Sequence, residues 1–406
     1  MKYEFPTQIP RSKTLRCIEW TGDRIRIADP DARGDTHPMT WAADDGIYIG
    51  TGDPMYMMEN GKRVVSGYFT GDLTRQWHTY ERVTGSCVEK LTGTPENMGL
   101  VRVNDLPGFV GWGGSGAKPT GMISVDGVLY YALQNLLGWK PPHFGSHCQH
   151  GSDATIISSR DFGKTWEPDL NSLLSSFNKE QTKVLPAATH WANRSSDWHT
   201  PYYARSSYNG WTPMFPGDWF GGPSFVQFGK DNADAVDNYV YAVSADQFDN
   251  GTNLRLGRVK KDSVLKAECW EFATKEEDGF AWTGDLFSSD PVLEINRHVS
   301  IPEMVYLSGI KKYLLFTWAF HTDFNPNDGS ELTVLESDHP WGPFSLVHYD
   351  WIWYKEEAGC YCPRLPLKWF DQKTLSGWLE FSGNYLRNHD LPYYAPQVRP
   401  FKLITR

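Results

Sequence analysis

Two aspartates and a histidine carry the clearest chemistry in the chain. Asp35 and His37 precede the run Met39-Thr40-Trp41-Ala42-Ala43, the turn Asp44-Asp45-Gly46 and the run Ile47-Tyr48-Ile49-Gly50-Thr51, and Asp53 follows it. β-Branched and aromatic residues on both sides of an Asp-Gly turn are a hairpin signature. With the turn centred near Asp45, facing residue numbers sum to about 90, which sets His37 opposite Asp53 and Asp35 near Pro54, with facing Cβ atoms roughly 4.5–5.5 Å apart. Two carboxyls and an imidazole then meet at the open end. Such a pair suits cleavage of a glycosidic bond, which needs one protonated and one ionised carboxyl flanking it. The plainer reading is that Asp35 caps a turn after Gly34 and Asp53 one before Pro54.

Other polar groups stand at the ends of similar runs. Gly121 to Val125, the turn Asp126-Gly127 and Val128 to Ala132 form a second hairpin, whose spacing brings Lys118 and Thr120 beside Gln134 and Asn135. A cation with amides can hold sugar hydroxyls or a uronate carboxylate, although a lysine there also reads as a solvated surface group. Ser224, Glu303 after Pro302, and Arg364 after Pro363 occupy the corresponding ends of later runs. Glu303 could supply a third acid, and Arg364 could bind a carboxylate bidentately. His143, His147 and His150 surround Cys148, but in a Gly/Pro loop their spacing fixes no helix face, so His150 is read as a residue lining a substrate funnel and no metal site is assigned. Trp41 in the first hairpin, and Arg205 and Trp219 among the rings of a long loop, complete the candidate substrate contacts, since flat rings stack on the apolar faces of sugars.

The elements that must position these groups are strands. The hairpin grammar recurs at Ser224 to Phe228 with Asn238 to Val243, at Glu303 to Leu307 with Tyr313 to Thr317, and at Leu365 to Trp369 with Leu375 to Gly383, and further short strand-like runs follow each copy. A hairpin with one or two outer strands makes a four-stranded sheet, and such sheets arranged radially make a propeller. The expectation is an all-β, five-bladed β-propeller, in preference to seven blades, forming a single domain over 1–406 with an insertion at about 176–222. Loops of that length are usually functional, and this one is read as a rim shaping a cleft. Ser159-Arg160-Asp161-Phe162-Gly163-Lys164-Thr165-Trp166 fits S-x-D-x-G-x-T-W, the Asp box that resembles turns of sialidase propellers; its Asp and Ser satisfy turn backbone and its Trp packs between strands. Asp161 is therefore a structural residue.

Composition limits the partners. The 406 residues carry 39 basic and 49 acidic side chains, a formal charge of -10, and no Lys/Arg-rich block, so a nucleic acid partner is not expected. No stretch of 18 apolar residues occurs, so no membrane partner is expected either. The N-terminal residues lack the apolar run of a signal peptide, leaving two readings: a cytoplasmic protein, or an exported one whose signal has been removed. Six scattered cysteines, with only Cys360 and Cys362 close, read as small buried hydrophobes. No cofactor is called for. A calcium ion would suit Asp and carbonyl groups converging in a channel, but no Asp-rich loop of fixed spacing supports one.

The runs Asp35-Thr36-His37-Pro38-Met39-Thr40-Trp41, Gly52-Asp53 and Lys118-Pro119-Thr120-Gly121-Met122, with Phe228-Gly229-Lys230-Asp231, Pro340-Trp341-Gly342-Pro343-Phe344 and Phe381-Ser382-Gly383, resemble a glycan-active propeller family long filed as a domain of unknown function. The resemblance spans about residues 30–390 of the chain. It includes endo-D-arabinanases, in which two first-blade aspartates act on the glycosidic bond; this implies Asp35 and Asp53 here, with an oligo- or polysaccharide as substrate. His37, where an aromatic is expected in many relatives, and the histidine-rich loop depart from that pattern. A weaker resemblance is to propellers that are L-rhamnose-α-1,4-D-glucuronate lyases and related rhamnosidases, which use a channel histidine. It implies a second reading: a lyase with His37 or His150 as base and Arg205, Lys118 or Arg364 facing the uronate carboxylate. A non-catalytic glycan-binding propeller is the third.

Overall fold

The structure is a computed structural model that describes residues 8–29, 32–54, 56–65, 86–106, 111–112, 115–138, 149–168, 213–277, 279–322, 326–354, 359–383 and 394–406. It is a five-bladed β-propeller. The first blade contains Met39–Trp41, Ile47–Gly52, Ser86–Thr94 and Asn97–Asn104, and the second Gly111–Trp112, Ser115–Val125, Val128–Gly138 and Gln149–Ser159. Pro223–Phe225, Tyr239–Ala245 and Gly251–Lys260 lead the third blade; Glu303–Leu307, Lys312–Phe320, Ser330–Ser337 and Ser345–Asp350 make the fourth. Tyr361–Arg364, Ser376–Ser382 and Pro396–Thr405 belong to the fifth blade, which is completed by Leu15–Trp20 from the N-terminal part of the chain, with Ile18 facing Leu403. That last pairing closes the ring by joining the two ends of the chain in one sheet.

Adjacent blades are tied near the axis by short polar contacts. Ser124 N donates to Thr40 Oγ1 at 3.0 Å between the first two blades, and Gln227 Nε2 donates to Met122 O at 2.8 Å between the second and third. Gln227 runs parallel to Val305 of the fourth blade. Between the sheets lie apolar layers, such as Phe215, Phe220, Trp270 and Phe272 between blades two and three. The Asp box behaves as its sequence suggests: Gly163 N donates to Ser159 Oγ at 2.7 Å, Thr165 N to Asp161 Oδ1 at 2.9 Å, and the Trp166 ring sits 5.5 Å from that of Tyr131.

Two details differ from the sequence reading. In the first hairpin Met39 faces Ile49 and Trp41 faces Ile47, so the turn is centred one residue earlier than expected. In the fifth blade the inner strand is Tyr361–Arg364, whereas Leu367–Trp369, expected within a strand, is a 3-10 turn started by Pro366. Proline has no N–H for a ladder and its fixed φ favours a turn, so the strand ends before it. Residues 176–212 of the expected insertion lie outside the described residues, as do His143, His147, Cys148 and Arg205. Among the described residues, no helix is long and apolar enough to cross a membrane.

Candidate active site at the mouth of the channel

The inner strands begin at a common mouth, and the first blade enters it along an irregular path. Asp35 and Gly52 form an isolated antiparallel bridge, with Asp35 N donating to Gly52 O at 2.8 Å and Gly52 N returning to Asp35 O at 2.9 Å. Thr36 and His37 then adopt left-handed φ values of 65° and 33°, and Asp53 one of 48°. Such values are uncommon for side chains larger than glycine, and their clustering is a local cost that the surrounding structure holds in place. A Cβ on Gly52 would fall 2.5 Å from Asp35 Oδ1, so the bare glycine makes room for that carboxyl. With the turn one residue earlier the ladder would set Asp35 opposite Asp53, and the two left-handed residues slip it one residue further. Asp35 therefore faces Gly52 in place of Pro54, and His37 is not held opposite Asp53.

The two aspartates are anchored differently. Asp53 pairs through Oδ1 with Lys118 Nζ, while Oδ2 accepts from the Tyr394 hydroxyl at 3.3 Å. Asp35 Oδ2 accepts from the Tyr361 hydroxyl at 2.9 Å, and its Oδ1 has no hydrogen-bond partner among the described residues. Burial, and then the negative charge of Asp53, push the Asp35 carboxyl up to about 6, against the opposing pull of Lys118, Tyr361 and His37. Each aspartate is thus within electrostatic reach of the other, with the proton favoured on Asp35 and the charge of Asp53 matched by a lysine.

Around them the other blades supply polar groups. Lys118 comes beside Gln134 and Asn135 as the spacing implies, with a bulge at Thr120 shifting the ladder by one so that Lys118 faces Gln134, and Thr120 donates to Pro223 O at 2.7 Å. Gln134 is fully buried with neither amide atom hydrogen-bonded among the described residues, and a Cβ on Gly151 would come within 2.0 Å of its Oε1. His37 is also fully buried; its Nδ1 lies 2.8 Å from Glu380 Oε1 and 3.3 Å from Ser382 Oγ. Burial raises the Glu380 carboxyl, opposed by His37 and Arg364.

Arg364 acts as a clasp across the axis. Its Nε donates to Thr36 O at 3.0 Å, and its Nη1 reaches Pro302 O at 3.0 Å, Glu303 Oε2 at 3.2 Å and Ser224 Oγ at 3.3 Å, so one guanidinium joins four blades. Burial drives the Glu303 carboxyl up to about 7 despite Arg364, and Glu303 Oε1 has no hydrogen-bond partner among the described residues.

The remaining sequence candidates fall elsewhere or outside description. Trp41 lies at the far end of its strand, where its Nε1 donates to Asp45 Oδ1 at 2.8 Å beside the turn. A strand alternates sides while advancing roughly 3.3 Å per residue, so a ring that far along cannot share the mouth with Asp35. Trp219 packs beneath Arg255, 4.2 Å from ring centre to guanidinium, and edge-on to Phe287. Only the backbone of His150 is described, opposite Leu137. Among the described residues, no three His, Cys, Asp or Glu side chains gather as a metal site.

Sequence reasoning missed Tyr361, Tyr394 and Glu380. Placing the fifth inner strand at Tyr361-Cys362-Pro363-Arg364 would have found the first. Glu380, a lone charge inside the apolar run Trp378-Leu379-Glu380-Phe381, carried a signal of its own.

No known family profile matches the chain, and no curated protein sequence does. Among solved structures, a Bacteroides ovatus ATCC 8483 protein provisionally named a hydrolase superposes with a TM-score of 0.50 at 12% identity, over 93% of this chain and 87% of its own. The likeness is one of fold. An α-L-arabinofuranosidase of Podospora anserina (TM-score 0.47, 11% identity, 97% of this chain and 98% of its own) and an α-L-arabinanase of Cellvibrio cellulosa (0.44, 11%, 92% and 96%) superpose more loosely and add nothing to the argument.

Proposed function

We propose that the protein is a glycoside hydrolase working at the channel mouth, with Asp35 as the proton donor and Asp53 as the ionised partner that activates water or attacks the anomeric carbon. The observation that carries this reading is the asymmetry of the two buried carboxyls: one raised and with an oxygen left open, the other paired with Lys118. Cleavage of an acetal needs that division of labour, since the leaving oxygen must be protonated while negative charge stabilises or captures the oxocarbenium-like centre. His37, braced by Glu380, positions the irregular segment between Asp35 and the first inner strand. The substrate is an oligo- or polysaccharide.

Uronate elimination would need a cation free for the substrate carboxylate and a base for the C5 proton. Lys118 and Arg364 are each taken up by a carboxylate, and His37 faces Glu380, so the described groups favour hydrolysis. The test is a panel of glycans, including arabinan, xylan and a uronic-acid polymer, assayed for new reducing ends and for ultraviolet absorbance. Hydrolysis predicts reducing ends with no absorbance rise; an absorbance rise on the uronic polymer would establish the lyase, and binding without bond cleavage the non-catalytic alternative.

A further inference from the structure

The third blade brings one more acid to the mouth. Asp249 lies in the turn between Tyr239–Ala245 and Gly251–Lys260, at the end of the blade where Ser244 faces Pro223. The turn is pinned on both sides of it. Asn250, at a left-handed φ of 52°, donates from Nδ2 to Phe320 O at 2.8 Å, accepts from Phe320 N at 3.0 Å, and donates its own N–H to Ser300 Oγ at 2.9 Å. Ile301 N donates to Phe248 O at 3.0 Å. The Phe248 ring packs against Trp318 at 6.2 Å, and Trp318 against Tyr361 at 5.5 Å, the tyrosine whose hydroxyl holds Asp35. The buried Cys362 thiol feels the charges of Arg364, Asp35, Glu380 and Asp249, so Asp249 lies within electrostatic reach of the same inner strand as they do.

Asp249 itself is fully buried, and apart from a loose contact with its own backbone N–H neither of its carboxyl oxygens has a hydrogen-bond partner among the described residues. A carboxyl withdrawn from water with no hydrogen bond to another residue is costly. We infer that Asp249 is a further substrate-contacting residue, whose carboxyl the fold leaves open so that hydroxyls of an uncharged sugar unit take up its hydrogen bonds. Burial also pushes this carboxyl well above the usual range, with the charge of Arg297 pulling the other way. In its protonated form it offers one O–H and several lone pairs, a set that adjacent sugar hydroxyls complement.

This inference rests on the hydrolase reading, so the experiment separates the two. Steady-state kinetics of the wild-type protein, Asp249→Leu and Asp249→Asn are compared on whichever glycan of the panel the wild type cleaves fastest, with thermal melting alongside. Asp249→Leu is expected to raise KM by about tenfold or more with kcat within about threefold, while Asp249→Asn, which keeps a donor and an acceptor, holds KM within about threefold. An unchanged KM for Asp249→Leu would overturn the inference and leave the hydrolase reading standing; a wild type that cleaves no glycan would overturn both. If Asp249→Leu does not fold, the Asn variant decides: wild-type KM should climb with pH as Asp249 ionises while that of Asp249→Asn stays flat, and parallel profiles would assign Asp249 a structural role only.

Discussion

A buried acid of the first blade and the buried acids at the channel mouth are treated in opposite ways. Glu89, on the third strand of the first blade, is closed on every side: Thr51 Oγ1 donates to one oxygen at 2.7 Å, and the Tyr56 hydroxyl and Arg102 Nε donate to the other at 3.2 and 3.1 Å. The Arg102 guanidinium also stacks 4.1 Å over the Tyr56 ring. One residue beyond Thr51, Gly52 bridges to Asp35, whose Oδ1 is left open, as are Glu303 Oε1 and both oxygens of Asp249 among the described residues. The fold can therefore satisfy a buried carboxylate completely. At the mouth it supplies partial anchors and leaves the rest of the hydrogen-bonding capacity for something that enters.

That contrast can be broken or sharpened by mutation. The largest expected effect is on turnover: Asp35→Asn and Asp53→Asn should each lower it by at least about a thousandfold while the protein still melts cooperatively, since each removes a group that handles a proton or a charge in the transition state. Glu89→Gln should do the reverse, sparing turnover and destabilising the protein by about 1–3 kcal/mol, because it weakens the charge-assisted bond to buried Arg102, which keeps Asp105 as its other carboxylate. Chemical denaturation and steady-state rates on the same samples would show whether the two kinds of acid separate in this way.

A smaller effect concerns pH and stability. A carboxyl raised in the folded state favours folding in its protonated form, so its contribution is fully present below the unfolded value near 3.8 and is lost as pH rises through about 6. Asp35→Asn removes that loss, and its stability relative to wild type should improve between pH 4 and pH 6 by about 2–3 kcal/mol, following the size of the shift.

The smallest expected change comes from Tyr361→Phe. The tyrosine hydroxyl favours the ionised form of Asp35, so its removal should move the alkaline limb of the rate–pH profile upward by no more than about one unit, the scale of a single hydrogen bond. A downward move would mean that Tyr361 does not act on Asp35 in this way.

Much of the frame was legible because strands announce themselves by alternation and by Asp-Gly turns. The second hairpin brings Lys118 to Gln134 and Asn135, and only a one-residue bulge at Thr120, which settles Lys118 opposite Gln134, interrupts its ladder. The first hairpin could not be extrapolated to its mouth, because its turn is centred one residue earlier and because Thr36, His37 and Asp53 take left-handed conformations that no residue count foresees. The fifth inner strand was displaced by a proline that starts a turn. Asp249 and Tyr394 sit at strand-connecting ends, where position follows from tertiary contacts such as the Asn250 clasp and not from local pattern. Arg364 was visible as a charge after proline, but its role as a clasp across blades depends on the ring being closed.

The central claim is that Asp35 keeps its proton to higher pH than an ordinary aspartate, beside an Asp53 paired with Lys118. A carbon-13 NMR titration of selectively labelled aspartate carboxyls, with Asp35→Asn to identify the resonance, tests it most directly. The account predicts a midpoint near 6 that disappears in the variant. A resonance assigned to Asp35 that titrates at about 4 or below, as an ordinary exposed aspartate does, would contradict it.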